Sequence, residues 1–248
     1  MTKERIEIEE FLLSPQQQRL WHLQSAFDIN YFKIVFMISI QGYLDRYVLA
    51  CAVNNIIKQH EILRTTFGTV PDTQQPVQLI YTDYRCEITE IDLSTEKSDS
   101  WPDKLIKIFE HEKQFGDDLT SSNVFPLRLI QFAPEQQVII VNLPAFCADI
   151  ATARIFTAEL AQEYRAIIEG QSRKRDVLQY RQCALLLNEL LQGEIGETGR
   201  YYWKQQQIFP LTPLNLPFWY EGKVKDYFLP RSICGKINTL EAAKIYRF

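Results

Sequence analysis

Residues 138–150 read Val-Ile-Ile-Val-Asn-Leu-Pro-Ala-Phe-Cys-Ala-Asp-Ile, and this stretch changes character half-way along. Its first six residues are mostly β-branched and apolar, which is typical of a buried strand. From Ile150 to Ile168 the apolar side chains recur every three or four positions, a spacing that predicts a helix. The segment 144–149 is therefore predicted to be the loop between a strand and a long helix.

Similar patterns recur along the chain and predict an alternation of strands and helices. Strands are predicted at 32–40, 62–67, 76–81, 87–92, 127–132, 138–143 and 226–229. Helices are predicted from Ser14, from Asp45 and from Pro230, and over 103–112, 150–168, 177–192 and 201–207. Gly193, Gly196 and Gly199 are predicted to mark a turn. This alternation predicts an α/β fold, a two-layer sandwich of a mixed sheet and helices.

The charge balance and the hydropathy exclude two classes of protein. The chain has 248 residues, of which 27 are basic and 31 acidic, so its formal net charge is −4. An acidic balance argues against a nucleic-acid-binding protein, which usually carries a basic patch. No apolar stretch reaches the roughly 18 residues of a membrane helix, and the N-terminus lacks a hydrophobic signal segment. We therefore expect a cytoplasmic protein that contacts neither nucleic acid nor membrane.

The cysteines and histidines are too scattered to form a metal site. There are five cysteines without a Cys-x-x-Cys pair, at positions 51, 86, 147, 183 and 234. Their odd number also argues against a disulfide framework. None of the three histidines has a second histidine at metal-ligand spacing. We expect no bound metal and no cofactor of the chain's own.

Three segments, taken together and in order, form a more specific pattern. Residues 13–23 read Leu-Ser-Pro-Gln-Gln-Gln-Arg-Leu-Trp-His-Leu, residues 59–67 read Gln-His-Glu-Ile-Leu-Arg-Thr-Thr-Phe, and residues 143–150 read Leu-Pro-Ala-Phe-Cys-Ala-Asp-Ile. The first resembles the S-x-x-Q-x-R-L-W motif of the condensation domains of nonribosomal peptide synthetases. The second resembles their R-H-E-x-L-R-T-x-F motif, with Gln59 at its first position. The third lies where this family carries H-H-x-x-x-D-G.

The resemblance implies a particular architecture. Members of this family have two lobes, each similar to chloramphenicol acetyltransferase, with a tunnel between them. The match here ends near Phe248, about where the first lobe is followed by the second. We therefore expect residues 1–248 to be an N-terminal lobe without its second lobe, and residues 205–248 to be the connector between the two.

The third motif departs from the family at the positions that carry the chemistry. Counting back from Asp149 places Pro144 and Ala145 at the two histidine positions, and Ile150 replaces the glycine. In the family the second histidine is described as a base or as a hydrogen-bonding residue that positions the reactants. Alanine has neither a lone pair nor an acidic proton and takes neither role. The resemblance therefore implies a degenerate site.

The resemblance also implies structural roles for residues of the three motifs. In the family the aspartate of the third motif holds its loop through a salt bridge to an arginine. For Asp149 this partner is either Arg64 or Arg19, and the sequence leaves both open. His60 invites an acid–base role together with Glu61, but the motif that contains it is mainly structural in the family, and we expect the structural role here.

Cys147 is a candidate replacement nucleophile, because it lies two residues before Asp149 at the end of a predicted strand. A catalytic thiolate needs a partner base or a lowered pKa. No histidine lies near it in the sequence. We therefore favour the alternative, in which Cys147 is a small buried residue that fills the space left by the missing histidines.

These observations favour a partner-binding module over a catalyst. The resemblance implies as partner a peptidyl or acyl carrier protein with its phosphopantetheine arm, another synthetase domain, or a tailoring enzyme. One alternative is an amide-forming or acyl-transferring enzyme that is active only when a second lobe completes it. Another is a stand-alone, acetyltransferase-like trimer with active sites between its protomers. Whether the chain is an enzyme stays open from the sequence, since the family consists of acyltransferases.

Overall fold

The structure is a computed structural model that describes residues 8–27, 32–114, 125–173 and 175–206. Three predictions lie outside these ranges: the strand at 226–229, the helix from Pro230, and nearly all of the connector 205–248. Cys234 lies outside them as well.

Seven strands and six helices form within the described residues. In chain order they are β1 (Ile8–Leu12), α1 (Pro15–Phe27), β2 (Lys33–Gln41), α2 (Arg46–Gln59), β3 (Thr65–Thr69), β4 (Pro76–Tyr81), β5 (Ile88–Asp92), α3 (Trp101–Gln114), β6 (Leu127–Ala133), β7 (Gln136–Pro144), α4 (Ile150–Ile168), α5 (Tyr180–Gln192) and α6 (Glu194–Gln205). Short 3₁₀ turns lie at Glu61–Arg64 and Ser98–Ser100. None of the helices in these ranges has the length and hydropathy of a membrane span.

The strands of the described residues form two sheets. The smaller sheet is antiparallel and has the order β1-β4-β3. The larger sheet has the order β2-β7-β6-β5, and it is mixed because β5 and β6 pair in parallel while the other pairs are antiparallel. At the end of β7, Pro144 is paired with Lys33 of β2. The predicted α/β class with a mixed sheet is confirmed.

Helices cover both faces of the larger sheet. On one face, Val141 of β7 shares a core with Ile56 of α2 and Phe156 of α4. On the other face, Ile140 packs in a second core against Leu105 of α3. Strand β7 is therefore buried on both sides, which explains its continuous apolar sequence. A strand held this way fixes the place of the loop that follows it.

Several predicted elements have the predicted bounds. Helix α4 spans Ile150–Ile168 and strand β4 spans Pro76–Tyr81, as expected. Asp45 caps α2, and its carboxylate accepts hydrogen bonds from the N–H groups of Tyr47 and Val48. Strand β1 was not predicted, and the predicted strand 62–67 divides into a 3₁₀ turn and strand β3.

The predicted turn at Gly193, Gly196 and Gly199 is wrong, because α6 runs through the last two of these glycines. Only Gly193 lies between α5 and α6. Gly196 is buried, and a Cβ atom built on it would lie 2.0 Å from the backbone oxygen of Leu191. This glycine therefore permits close contact between α6 and the end of α5, which no larger residue allows. The predicted helix 201–207 is the second half of α6.

Candidate functional site

The positions of the two missing histidines are the last residue of β7, Pro144, and the first residue of the loop that follows, Ala145. The backbone N–H of Ala145 donates to the carbonyl of Phe32 at 2.7 Å, next to the last pair of strands β2 and β7. The N–H groups of Cys147 and Ala148 both donate to the carbonyl of Pro144, at 2.9 and 3.2 Å. The place of residue 145 is thus set by backbone hydrogen bonds, independently of its side chain.

Asp149 ends this loop and begins α4. Its carboxylate accepts hydrogen bonds from the backbone N–H and the hydroxyl of Thr152, both at 2.9 Å. In return the hydroxyl of Thr152 accepts the backbone N–H of Asp149 at 3.1 Å, which completes a capping box. These hydrogen bonds to Thr152 favour the ionised form and lower the pKa of Asp149 below its usual value. The carboxylate is a helix cap.

The ion pair expected between Asp149 and Arg64 or Arg19 does not form among the described residues, so this expectation is corrected. The guanidinium of Arg64 donates instead to the backbone carbonyl of Tyr81 and lies 4.0 Å from the carboxylate of Glu61. Arg19 is exposed on α1 and pairs with no described acid. Because Thr152 already satisfies the carboxylate of Asp149, the loop is held without an arginine.

Glu61 is also paired, but with a residue that the sequence did not indicate. Its carboxylate lies 2.6 Å from Nε of Arg181, in α5. The backbone N–H of Glu61 donates to the side chain of Gln179 at 3.0 Å. These contacts join the second motif to the start of α5.

His60 is paired with a carboxylate of α4. Its Nε2 lies 2.7 Å from Oε2 of Glu159, and Nη1 of Arg175 lies 3.7 Å from the other oxygen of the same carboxylate. The side chains of His60 and Glu159 are 20% and 17% exposed. Sequence reasoning missed Glu159. The signal was available, since Glu159 follows the buried Phe156 by three positions and is therefore an acid on the inward side of a helix.

These residues border one cavity of about 520 Å³. Ala145 lies in its wall, between the loop, α2, α4 and α5. Most of the lining is apolar, and includes Ile56, Leu63, Phe146, Ile155, Phe156 and Leu187. Polar groups come from Gln16, His60, Asp149, Thr152, Glu159 and Tyr180. The structure thus brings together His60, Ala145, Cys147 and Asp149, and leaves Arg19 and Arg64 outside the lining.

Pro144 and Ala145, at the two histidine positions of the third motif, carry no ionisable group. The thiol of Cys147 lies 3.8 Å from the carbonyl of Thr65 and has no hydrogen bond to His60, and burial raises its pKa above the usual value. A raised pKa lowers the thiolate population, and this supports the space-filling interpretation of Cys147. Within the described ranges, no three acids, cysteines or histidines cluster as a metal site would require.

The sequence as a whole matches the Condensation domain family over residues 7–232. The chain belongs to the condensation domain family. The resemblance to condensation domains of nonribosomal peptide synthetases, which the three motifs indicated, is confirmed.

Among curated proteins, this condensation-domain chain is similar to tyrocidine synthase 3 of Brevibacillus parabrevis and to the cyclosporin synthetase simA of Tolypocladium inflatum. It is 22% identical to the first over 210 residues, which is 84% of this chain and 3% of that protein. It is 28% identical to the second over 197 residues, which is 77% of this chain and 1% of that protein. The chain therefore corresponds to a small part of each of these much longer relatives.

Solved condensation domains have the same fold. The condensation domain of the Monacolin K polyketide synthase MokA has a TM-score of 0.71 and 20% identity, and the match covers 85% of this chain and 45% of that one. The starter condensation domain of the rhizomide synthetase RzmA has a TM-score of 0.71 and 18% identity, covering 83% and 49%. This condensation-domain chain thus matches less than half the length of these structures.

Proposed function

We propose that this condensation-domain chain is a non-catalytic module that binds the loaded arm of a peptidyl or acyl carrier protein. The single observation that carries the proposal is that Ala145 lies in the wall of a cavity of about 520 Å³. This cavity supports binding, while the position that the family uses for chemistry carries no proton-transferring group. We further propose that the chain is an N-terminal lobe that works in the cytoplasm, where another synthetase domain or a tailoring enzyme is the alternative partner.

The rate enhancement that a proton-transferring group at position 145 would supply is large, and its absence supports binding over turnover. A positioned group that transfers a proton typically contributes about 10²- to 10⁴-fold to a rate. The one imidazole in the described lining is that of His60, which comes from the end of α2 and is held by Glu159. Without a group at position 145, the loop of the third motif supplies no base to a reacting amine.

The residues of the cavity fit a phosphopantetheine arm. Its volume of about 520 Å³ lies within the range of small-molecule sites, about 300–1,000 Å³. Gln16 and His60 would hold the amides of the arm by hydrogen bonds, because the side chain of Gln16 and Nδ1 of His60 have no partner among the described residues. Ile155 and Leu187 would pack against its apolar parts. When bound, the arm supplies a thioester-linked acyl group.

Calorimetric titration with carrier proteins from the same gene cluster tests this proposal. We expect a loaded carrier protein to bind, and its apo form, which lacks the arm, to bind more weakly. Leu187→Asp, which places a charge in the cavity wall, is expected to weaken binding of the loaded form. Tyr43→Ala, at an exposed residue outside this cavity, is the matched control. If no carrier protein from the cluster binds, the proposal is wrong.

The alternative function, acyl transfer after completion by a second lobe, is favoured by one observation. The hydrogen bond from the N–H of Ala145 to the carbonyl of Phe32 holds the backbone of residue 145 independently of its side chain, so it supports the idea that a histidine there would keep this backbone position. Joined to a second lobe, the Ala145→His variant is therefore expected to gain condensation activity that the native sequence lacks. A native protein that condenses acyl and aminoacyl carriers as fast as the variant would overturn the non-catalytic proposal.

A further inference from the structure

We propose that His60 is the residue that recognises the ligand of this cavity, by accepting a hydrogen bond from an amide N–H. The inference rests on the proposed function and deepens it by naming the ligand class: an uncharged, apolar acyl thioester with an amide N–H a few bonds away. Glu159 is a positioning residue in this arrangement, since it acts through the ring of His60.

The contact with Glu159 fixes which nitrogen of His60 is free to accept. A carboxylate only accepts hydrogen bonds, so Nε2, at 2.7 Å from Oε2 of Glu159, carries the hydrogen of this contact. In the neutral ring the lone pair is then on Nδ1. No described residue forms a hydrogen bond with Nδ1 of His60. His60, which lines the cavity, therefore has a ring acceptor without a partner among the described residues.

The residues around His60 favour the ring orientation in which Nε2 carries the hydrogen and contacts Glu159. Arg175 lies 3.7 Å from the second oxygen of Glu159, and it also donates to the side chain of Gln162 at 2.9 Å. The carboxylate of Glu159 is thus oriented from two sides, by His60 and by Arg175. Ring rotation of His60 would break its 2.7 Å contact.

The rest of the lining decides which ligands are compatible with this acceptor. No arginine or lysine is among the described residues that line the cavity, whereas Asp149 and Glu159 place negative charge there. Anionic acyl groups are therefore disfavoured. Apolar walls such as Ile56 and Phe156 favour an apolar acyl chain. A ligand that gives Nδ1 of His60 no hydrogen bond loses binding free energy, because it leaves this acceptor unpaired and shielded from water. The cavity thus favours a thioester whose acyl group is neutral and apolar and which has one amide N–H a few bonds away.

The experiment compares two probes that differ by one atom. The first is the hexanoyl thioester of N-acetylcysteamine, which contains an amide N–H, and the second is the same molecule with an ester oxygen in place of that N–H. With the full chain, we expect calorimetry to show that the amide binds about three- to tenfold more tightly. Equal affinity of the two probes for the wild type would overturn the proposal.

Four variants assign the preference to His60. His60→Phe is expected to abolish the difference between the probes, while His60→Gln, which keeps an acceptor oxygen, retains part of it. Glu159→Gln keeps an acceptor for Nε2 and retains the preference, whereas Glu159→Ala releases the ring and reduces it. The matched control is His22→Gln, on the exposed side of α1, with an unchanged preference.

Circular dichroism of each variant separates loss of recognition from loss of folding. If His60→Phe is unfolded, His60→Gln and Glu159→Ala decide the matter, and an unchanged probe preference in Glu159→Ala contradicts the proposal. The proposed function is tested separately by carrier binding. A protein that binds loaded carriers without preferring the amide probe refutes the role of His60 alone, whereas the opposite result refutes carrier binding alone.

Discussion

The side-chain amide of Gln17 donates a hydrogen bond of 3.0 Å to the backbone carbonyl of Phe146. Gln17 belongs to the first of the three sequence motifs and Phe146 to the third, so this bond joins two segments that are 129 residues apart. Gln17 is 1% exposed, and its Oε1 accepts the N–H of Ser14 at 2.9 Å. The first motif therefore supports the loop that carries Ala145.

Replacing Gln17 by methionine is expected to destabilise the protein by about 1–3 kcal/mol. The change keeps the length of the side chain but leaves the carbonyl of Phe146 and the N–H of Ser14 buried without these partners. Urea denaturation measures the loss. Gln41→Met, at the exposed end of β2, is the control and should lie within about 0.5 kcal/mol of the wild type. Equal stabilities of the two variants would contradict the role of Gln17.

Asp149→Ala is expected to lower stability by about 1 kcal/mol at neutral pH, because the N-cap of α4 is lost. Hydrogen bonds from Thr152 lower the pKa of Asp149 in the folded state, so the stabilising effect of its charge is present above pH ~4. It is lost as the pH falls through the lower folded-state pKa.

Thermal unfolding at neutral pH and near pH 3 checks this assignment. Asp149→Asn keeps an acceptor oxygen for Thr152 but no charge, so it should be more stable than Asp149→Ala and lack the acid-dependent part of the loss. A wild type and an asparagine variant with the same dependence on pH would show that the charge of Asp149 has no such role.

Phe156→Ala is expected to cost about 3–5 kcal/mol. Phe156 is 3% exposed, and its ring lies 5.4 Å from that of Phe125 and 6.2 Å from that of Phe36, measured between centroids. Guanidinium denaturation gives the loss. The neighbouring Ile155→Ala should have little effect on stability, because Ile155 is 55% exposed, yet it should weaken probe binding at the cavity. Phe156 lines the cavity as well, so Phe156→Ala changes both stability and the cavity wall, whereas Ile155→Ala tests the cavity wall alone.

Cys86 and Cys147 are expected to resist iodoacetamide in the native protein at pH 8. Burial, with a smaller effect from the charge of Glu87, raises the pKa of Cys86 to about 12, and burial also raises the pKa of Cys147. Both thiols are therefore almost entirely protonated at this pH, and the thiolate is the form that reacts. Peptide mapping by mass spectrometry should find them labelled only in denaturant. Rapid native labelling of Cys147 would restore it as a candidate nucleophile.

Strong local patterns allowed much of the fold to be predicted. Helix α4 was predictable from its regular apolar spacing and its N-cap, and strand β4 from a short run of mostly apolar and aromatic residues that begins at a proline. Strand β1 was not predictable, since it is short and is held in place by pairing with β4. The turn predicted at Gly196 was wrong for a related reason. This glycine permits close contact between α6 and the end of α5, and no local sequence pattern indicates such a contact.

The sequence indicated several residues of the candidate site, but not the residues that pair with them. The second and third motifs singled out His60, Ala145 and Asp149, and the structure places all three in the lining of one cavity. The spacing from Phe156 marked Glu159 as an acid on the inward side of α4, but its partner His60 lies 99 positions away and could not be read from one sequence. Asp149 was expected to require an arginine, but a neighbouring threonine satisfies it, because a carboxylate at the start of a helix accepts the nearest N–H groups first.

The hydrogen bond between the N–H of Ala145 and the carbonyl of Phe32 has an evolutionary consequence. Every amino acid except proline has a backbone N–H, so a substitution of Ala145 by any residue other than proline keeps the donor of this hydrogen bond. Loss of a histidine here leaves the chain folded and available for selection in another role. Such a change is also reversible, because a few mutations in one codon would return an imidazole to a cavity that is already built.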